Sequence, residues 1–286
     1  MPAVLSPLTA VDGDNLAVYD WPLAVGVPRA VVVLVHGLGE HMGRYNRLAG
    51  QLNAWGFAVR GYDQVGHGES GGQRGDLPAP NRLFDDLADV VDNTLLQYTS
   101  RHRVPPPLLL LGHSMGGLVA AQFVARRLRP VAGLVLSSPA FDPGLSAFQR
   151  WLLAVVPRVA PGLRVANGLK LQYLARDARV VDAYRNDSRV HNRIGVRLAQ
   201  FIADTGPATL AAAPHWNVPT LLLYAGADKL VNPAGSRAFA AAAPPGVLQA
   251  HCFEQHFHEI FNDPDRAPVL GALQEWLSSR FPARSE

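Results

Sequence analysis

One cysteine, Cys252, and two lysines, Lys170 and Lys229, are all that this 286-residue chain holds of those two residue types. A single cysteine excludes an intrachain disulfide and any metal site built on paired thiolates. With so few lysines, nearly all the positive charge sits on arginines, and these are scattered, with only Arg126 and Arg127 adjacent. A net charge of +3 and a pI near 9.2 therefore come without the basic tract that a nucleic-acid site requires. No apolar run approaches the roughly 18 residues that would span a bilayer. The opening stretch "MPAVLSPLTAVDGDN" lacks a basic start followed by an apolar core. The expectation is a cytoplasmic enzyme, with peripheral membrane contact left open.

What is present is ample apolar material, 48% of the chain, punctuated by 26 glycines and 23 prolines. A chain of this length can build one α/β core carrying an insertion. Residues 8–20 alternate around "DGDN" and predict a hairpin. "AVVVLVHG" (30–37), "FAVRGYD" (57–63), "PLLLLG" (107–112), "VAGLVLSSP" (131–139), "PTLLLYAGAD" (219–228) and "VLQAHCFE" (247–254) predict buried strands. Helical spacing fills 46–54, 81–101 and 115–128, and a final helix ends near Arg280. Strands alternating with helices imply a mostly parallel, doubly wound sheet. Residues 140–210 break that rhythm and hold no convincing strand. They predict a helical cap over the C-terminal edge of the sheet, where open α/β sheets bind ligands. The division is then a core of 1–139 and 211–286 and a cap of 140–210.

"LLLLGHSMGGLVAAQ" (108–122) places Ser114 where a strand becomes a helix. Serine is a favoured helix cap, so position alone proves little. The flanking Gly112 and Gly116 change the reading. A sharp strand-to-helix elbow exposes the serine hydroxyl but crowds the backbone two residues to either side, where only glycine fits. The hydroxyl needs a base held by a carboxylate. On this architecture the acid and then the histidine follow the serine, each on a loop after a strand. Asp228 ends "LLLYAGAD" in the required place. Asp142 and Asp204 lie in the insertion and Asp63 precedes the serine, so they fit less well. His256 and His258 both sit on the next loop, and spacing leaves both open, while His251 falls within a strand. His36, His67 and His113 stand beside turn glycines and suit structural roles. The loop "HGLGEHMGRY" (36–45) suits a second oxyanion donor, with the Leu38 and Met115 amides aimed at the developing negative charge.

The blocks "HGLGEHMGRY", "GYDQVGHGES", "GHSMGG", "LSSPA", "AGADKLVNPAGS" and "HEIFND" occur in an order that resembles the monoglyceride lipase and lysophospholipase family of α/β-hydrolases. They span residues 36–263. The resemblance implies an α/β-hydrolase fold, Ser114 as nucleophile, Asp228 as acid and, from the H-E block, His258 as base. It further implies that Glu40 and Arg44 shape the polar end of the pocket. Val65 departs from the pattern, standing where the family carries arginine.

The implied activity is hydrolysis of monoacylglycerols or similar single-chain lipid esters through an acyl-enzyme, without metal or cofactor. Lysophospholipase, small-molecule carboxylesterase, thioesterase and acyltransferase chemistry use the same triad and remain alternatives. A non-catalytic receptor on this fold would ordinarily have lost a triad member. In the insertion, Phe148, Trp151, Leu152, Leu153, Val155 and Val156 form an apolar cluster suited to line an acyl tunnel or touch a membrane.

Overall fold

The computed structural model describes residues 3–24 and 26–283. In chain order the core elements are β1 (Val4–Thr9), β2 (Asn15–Trp21), β3 (Val31–Val35), α1 (Asn46–Ala54), β4 (Ala58–Tyr62), α2 (Arg82–Arg101), β5 (Leu108–His113), α3 (Met115–Ala125) and β6 (Gly133–Ser137). The insertion contributes α4 (Ala147–Val159), β7 (Arg164–Ala166), α5 (Ala178–Asn186), β8 (Arg193–Gly195) and α6 (Val196–Ala212). The core resumes with β9 (Thr220–Ala225), α7 (Pro233–Ala242), β10 (Leu248–Phe253) and α8 (Ala267–Arg280).

Eight strands form one sheet in the order β1-β2-β4-β3-β5-β6-β9-β10. The β1–β2 and β2–β4 pairs are antiparallel and the others parallel. The near-continuous apolar strands follow from burial on both faces. Val33, Val35, Leu110 and Leu136 point to one face, under Phe84, Leu118 and Phe201 of α2, α3 and α6. Val32, Leu34, Leu111 and Leu223 point to the other, under Leu48 and Leu52 of α1 and Leu273 and Trp276 of α8. Each such side chain contributes roughly 1.5–3 kcal/mol through removal from water. The architecture is the mostly parallel, helix-flanked sheet expected. The helix starting at Met115 stops at Ala125, three residues early, where Arg127 turns to a left-handed φ of 54°.

The insertion departs from its expected all-helical form. β7 and β8 pair antiparallel, with Val165 opposite Ile194. Three residues per strand are too few for alternation to register as a pattern. α4 opens with a capping box, in which Ser146 accepts the Gln149 amide and the Gln149 side chain accepts the Ser146 amide. No residue of α4 is fully buried. α6 packs on both α4 and α3. Its Thr209 hydroxyl donates to Gln122 Oε1 of α3 at 2.9 Å, joining the insertion to the helix that begins beside Ser114.

Candidate active site

β5 ends at His113 and α3 begins at Met115, so Ser114 alone turns the chain between them. Its backbone, at φ 53° and ψ −120°, lies where L-residues are strained. Neighbouring groups hold it there. Its N–H donates to Ser137 O at 3.0 Å, and its carbonyl accepts the Leu118 and Ala140 amides, each at 3.0 Å. A Cβ on Gly112 would strike the Gly116 carbonyl, and one on Gly116 would strike the Val35 and His36 carbonyls. The two glycines are therefore steric requirements of the elbow.

Asp228 follows β9 and His258 follows β10, and adjacency of these parallel strands brings the two loops together. His258 Nδ1 lies 2.6 Å from Asp228 Oδ2, with both side chains buried. The other carboxylate oxygen, Oδ1, accepts the Leu230 and Val231 amides at 2.9 and 3.0 Å. Burial alone would push the Asp228 carboxyl up, but the facing imidazole and these donors hold it below the usual range. Burial would likewise push His258 down. The Asp228 carboxylate and its hydrogen bond, aided by Glu259 and Glu40, hold His258 above its ordinary value. His113, its ring 4.7 Å from that of His258, is driven down to about 4 by burial and by the charge of His258. His113 is thus neutral at pH 7.

His258 and Ser114 line one cavity of about 200 Å³, together with Gly37, Leu38 and Met115. Leu145, Leu153, Leu174, Ile194, Ile202 and Leu230 supply its apolar walls. The arrangement offers a hydroxyl and an imidazole oriented by a carboxylate in a largely apolar space, with Leu38 and Met115 on its wall. Those are the parts needed for acyl transfer. The two other histidines weighed as base are engaged elsewhere. His256 Nε2 sits 2.9 Å from Asp265 O, and His251 Nε2 sits 2.9 Å from Gln249 Nε2. Asp142 accepts from Asn232 at 2.6 Å, and Asp204 lies on a separate groove.

Four of the sequence-selected binding residues do not line the cavity that holds Ser114 and His258. Phe148 and Trp151 are 66% and 58% exposed and stack on each other with ring centroids 5.9 Å apart. α4 carries two apolar faces, and it is the half-buried face with Leu153 that reaches the cavity. Leu152 is half-buried and stands beside that wall without joining it. Glu40 lines the cavity, whereas Arg44 lines a neighbouring one beyond Glu40 and His113. Sequence reasoning weighed Asp63 only as a candidate acid and missed its role in the loop. Its carboxylate accepts the Met42 amide at 2.6 Å, the Glu69 amide at 2.8 Å and the Tyr19 hydroxyl at 3.0 Å, pinning the loop after β3. An acid at the start of a glycine-rich loop was the only signal in the sequence.

Sheet, elbow and paired loops define an α/β-hydrolase with serine at its strand-to-helix elbow. A model of the family described as "Serine aminopeptidase, S33" matches residues 26–265. The monoacylglycerol lipase of Mycolicibacterium smegmatis is 33% identical over 257 residues, covering 89% of this chain and 90% of that protein. The crystal structure of Paleococcus ferrophilus monoacylglycerol lipase superimposes with a TM-score of 0.80 at 34% identity, covering 92% of this chain and 99% of that one. An uncharacterized abhydrolase domain-containing protein of Dictyostelium discoideum, 28% identical, matches 98% of this chain, which spans only 30% of that protein's length. The chain belongs to the monoglyceride lipase family of α/β-hydrolases.

Proposed function

We propose that this protein is a serine esterase that hydrolyses monoacylglycerols or similar single-chain lipid esters. Ser114 Oγ attacks the ester carbonyl carbon and passes its proton to His258 Nε2. Asp228 holds the imidazole by Nδ1 and stabilises the imidazolium. The Leu38 and Met115 amides stabilise the oxyanion. Collapse breaks the bond to the alcohol, which leaves with the proton from His258. Water, deprotonated by His258, then attacks the acyl-enzyme, releases the fatty acid and restores Ser114.

The observation that carries this reading is one cavity holding Ser114 and His258 behind apolar walls suited to an acyl chain. The names of the relatives at 33% and 34% identity support the same substrate class. Peptide cleavage from a free N-terminus is less well supported. It needs an unpaired acid for the substrate ammonium, and the two acids on the cavity wall, Glu40 and Glu259, are both clamped on Arg44.

Residues 140–210 act as a cap whose inner face completes the acyl site. On α4 the outer positions Phe148, Trp151, Val155 and Val159 recur at helical spacing and are all exposed. This stripe makes transient contact with a lipid surface, with Arg150 and Arg158 beside it. No helix among the described residues is long and apolar enough to cross a membrane.

Intact mass after fluorophosphonate treatment tests the mechanism. One adduct is expected on the protein and none on Ser114→Ala; an adduct that persists in Ser114→Ala refutes the assignment. A panel of monoacylglycerols, lysophospholipids and p-nitrophenyl esters tests the substrate class. Decanoyl esters should outrun acetyl esters, and the reverse order would count against a lipid substrate.

A further inference from the structure

Arg44 is nearly buried and every contact of its guanidinium is internal. Nη1 donates to Glu40 Oε2 at 2.5 Å and to Glu259 Oε1 at 2.6 Å, and Nη2 donates to Glu259 Oε2 at 2.8 Å. The face of the group lies 4.7 Å from the ring centroid of Tyr184 on α5. Each partner belongs to a different part of the site. Glu40 Oε1 accepts the Gly37 amide at 2.7 Å and the Tyr45 hydroxyl at 2.8 Å, so it fixes the turn that carries Leu38. Glu259 adjoins His258 in the chain, and its amide donates to Leu174 O of the insertion at 2.8 Å. Tyr184 brings the insertion onto the same cation.

We infer that Arg44 is a positioning residue that locks three segments into one geometry: the oxyanion turn, the histidine loop and the cap. This rests on the hydrolase reading above and assigns Arg44 no contact with substrate. A planar fork suits the task, because it meets two carboxylates in its plane and an aromatic ring on its face. The cluster also carries charge. With two carboxylates on one guanidinium it is net negative, and it faces the position where His258 becomes cationic during turnover. Glu40 stays ionised. Burial works against that, but Arg44, with His113, His36 and the Gly37 amide, brings its carboxyl down to about 2.

The test compares Arg44→Lys, which keeps the charge and loses the fork, with Glu40→Gln, which keeps an acceptor for Gly37 and removes the surplus negative charge. Both are assayed on a monoacylglycerol and on p-nitrophenyl butyrate, which has no glycerol to recognise. Misplacement on the scale of an ångström costs on the order of 100-fold in rate. We expect Arg44→Lys to lower kcat about 10- to 100-fold on both substrates with KM nearly unchanged. Glu40→Gln should move the acid limb of the kcat/KM profile to lower pH. Should Arg44→Lys fold poorly, Tyr184→Leu approaches the same junction from α5 and should lower kcat on p-nitrophenyl butyrate in the same direction.

A loss confined to the glycerol ester and expressed in KM would overturn the inference in favour of head-group contact. Wild-type kcat and pH profile with only a lower Tm would reduce the cluster to an ordinary structural ion pair, also overturning it. Failure of the hydrolase reading itself is distinguishable, because it appears as a fluorophosphonate adduct retained in Ser114→Ala.

Discussion

Because Ser114 is held at φ 53° and ψ −120°, removing its side chain should separate strain from chemistry. Ser114→Ala and Ser114→Gly both remove the hydroxyl proposed as nucleophile, but only glycine occupies that backbone region freely. A non-glycine residue there costs about 1–3 kcal/mol. Against the relief stands the greater freedom of glycine in the unfolded chain, roughly 0.5–1 kcal/mol. The half-buried alanine methyl forfeits roughly another 0.4 kcal/mol. Glycine should therefore be ahead of alanine by about 1 kcal/mol. Over 286 residues the unfolding entropy is about 0.6 kcal/mol/K, which converts that lead to about 2 °C in Tm. Paired calorimetric or denaturant melts of the two inactive proteins measure the difference directly. If Ser114→Ala melts at or above Ser114→Gly, the elbow is not storing strain.

The same elbow predicts that Gly112→Ala and Gly116→Ala lose about 1–3 kcal/mol or fail to express, because each methyl meets backbone. Gly50→Ala, in α1 with open space around the new methyl, should gain about 0.5–1 kcal/mol in a urea titration. His258→Ala should cut kcat on p-nitrophenyl esters by roughly 10⁴–10⁶, while His256→Ala stays within about tenfold. The base must be neutral to accept a proton, so kcat/KM should rise with pH along a limb shifted upward from the ordinary histidine value. Asp228→Asn should move that limb to lower pH and lower kcat by about 10⁴. Trp151→Glu should weaken co-sedimentation with lipid vesicles and spare turnover of p-nitrophenyl butyrate; unchanged sedimentation would remove α4 from the lipid contact.

Much of this molecule was legible because its signals are local. The strands read as apolar runs because both faces of the sheet are covered, and α1 occupies 46–54 as its periodicity indicates. The elbow was visible because its steric demand falls on glycines within two residues of Ser114. Less local features were hidden. Spacing left His256 and His258 both open, and what separates them is that one faces Asp228 and the other the Asp265 carbonyl. The periodicity of α4 revealed apolar faces without saying which looks inward. Phe148 and Trp151 were grouped with Leu153, which alone of the three lines the cavity. Nor could local sequence show what holds Arg44, since Glu259 and Tyr184, its partners beyond Glu40, lie far along the chain.

The absence of any fully buried residue in α4 has an evolutionary consequence. Substitutions at exposed positions usually change folding free energy by no more than about 0.5 kcal/mol. The outer face of this helix can therefore drift with little penalty to the fold, while the elbow glycines tolerate almost nothing. Four or five residues there can be rewritten and leave the elbow and its paired loops untouched. Diversification among close descendants of this chain should concentrate on that helix.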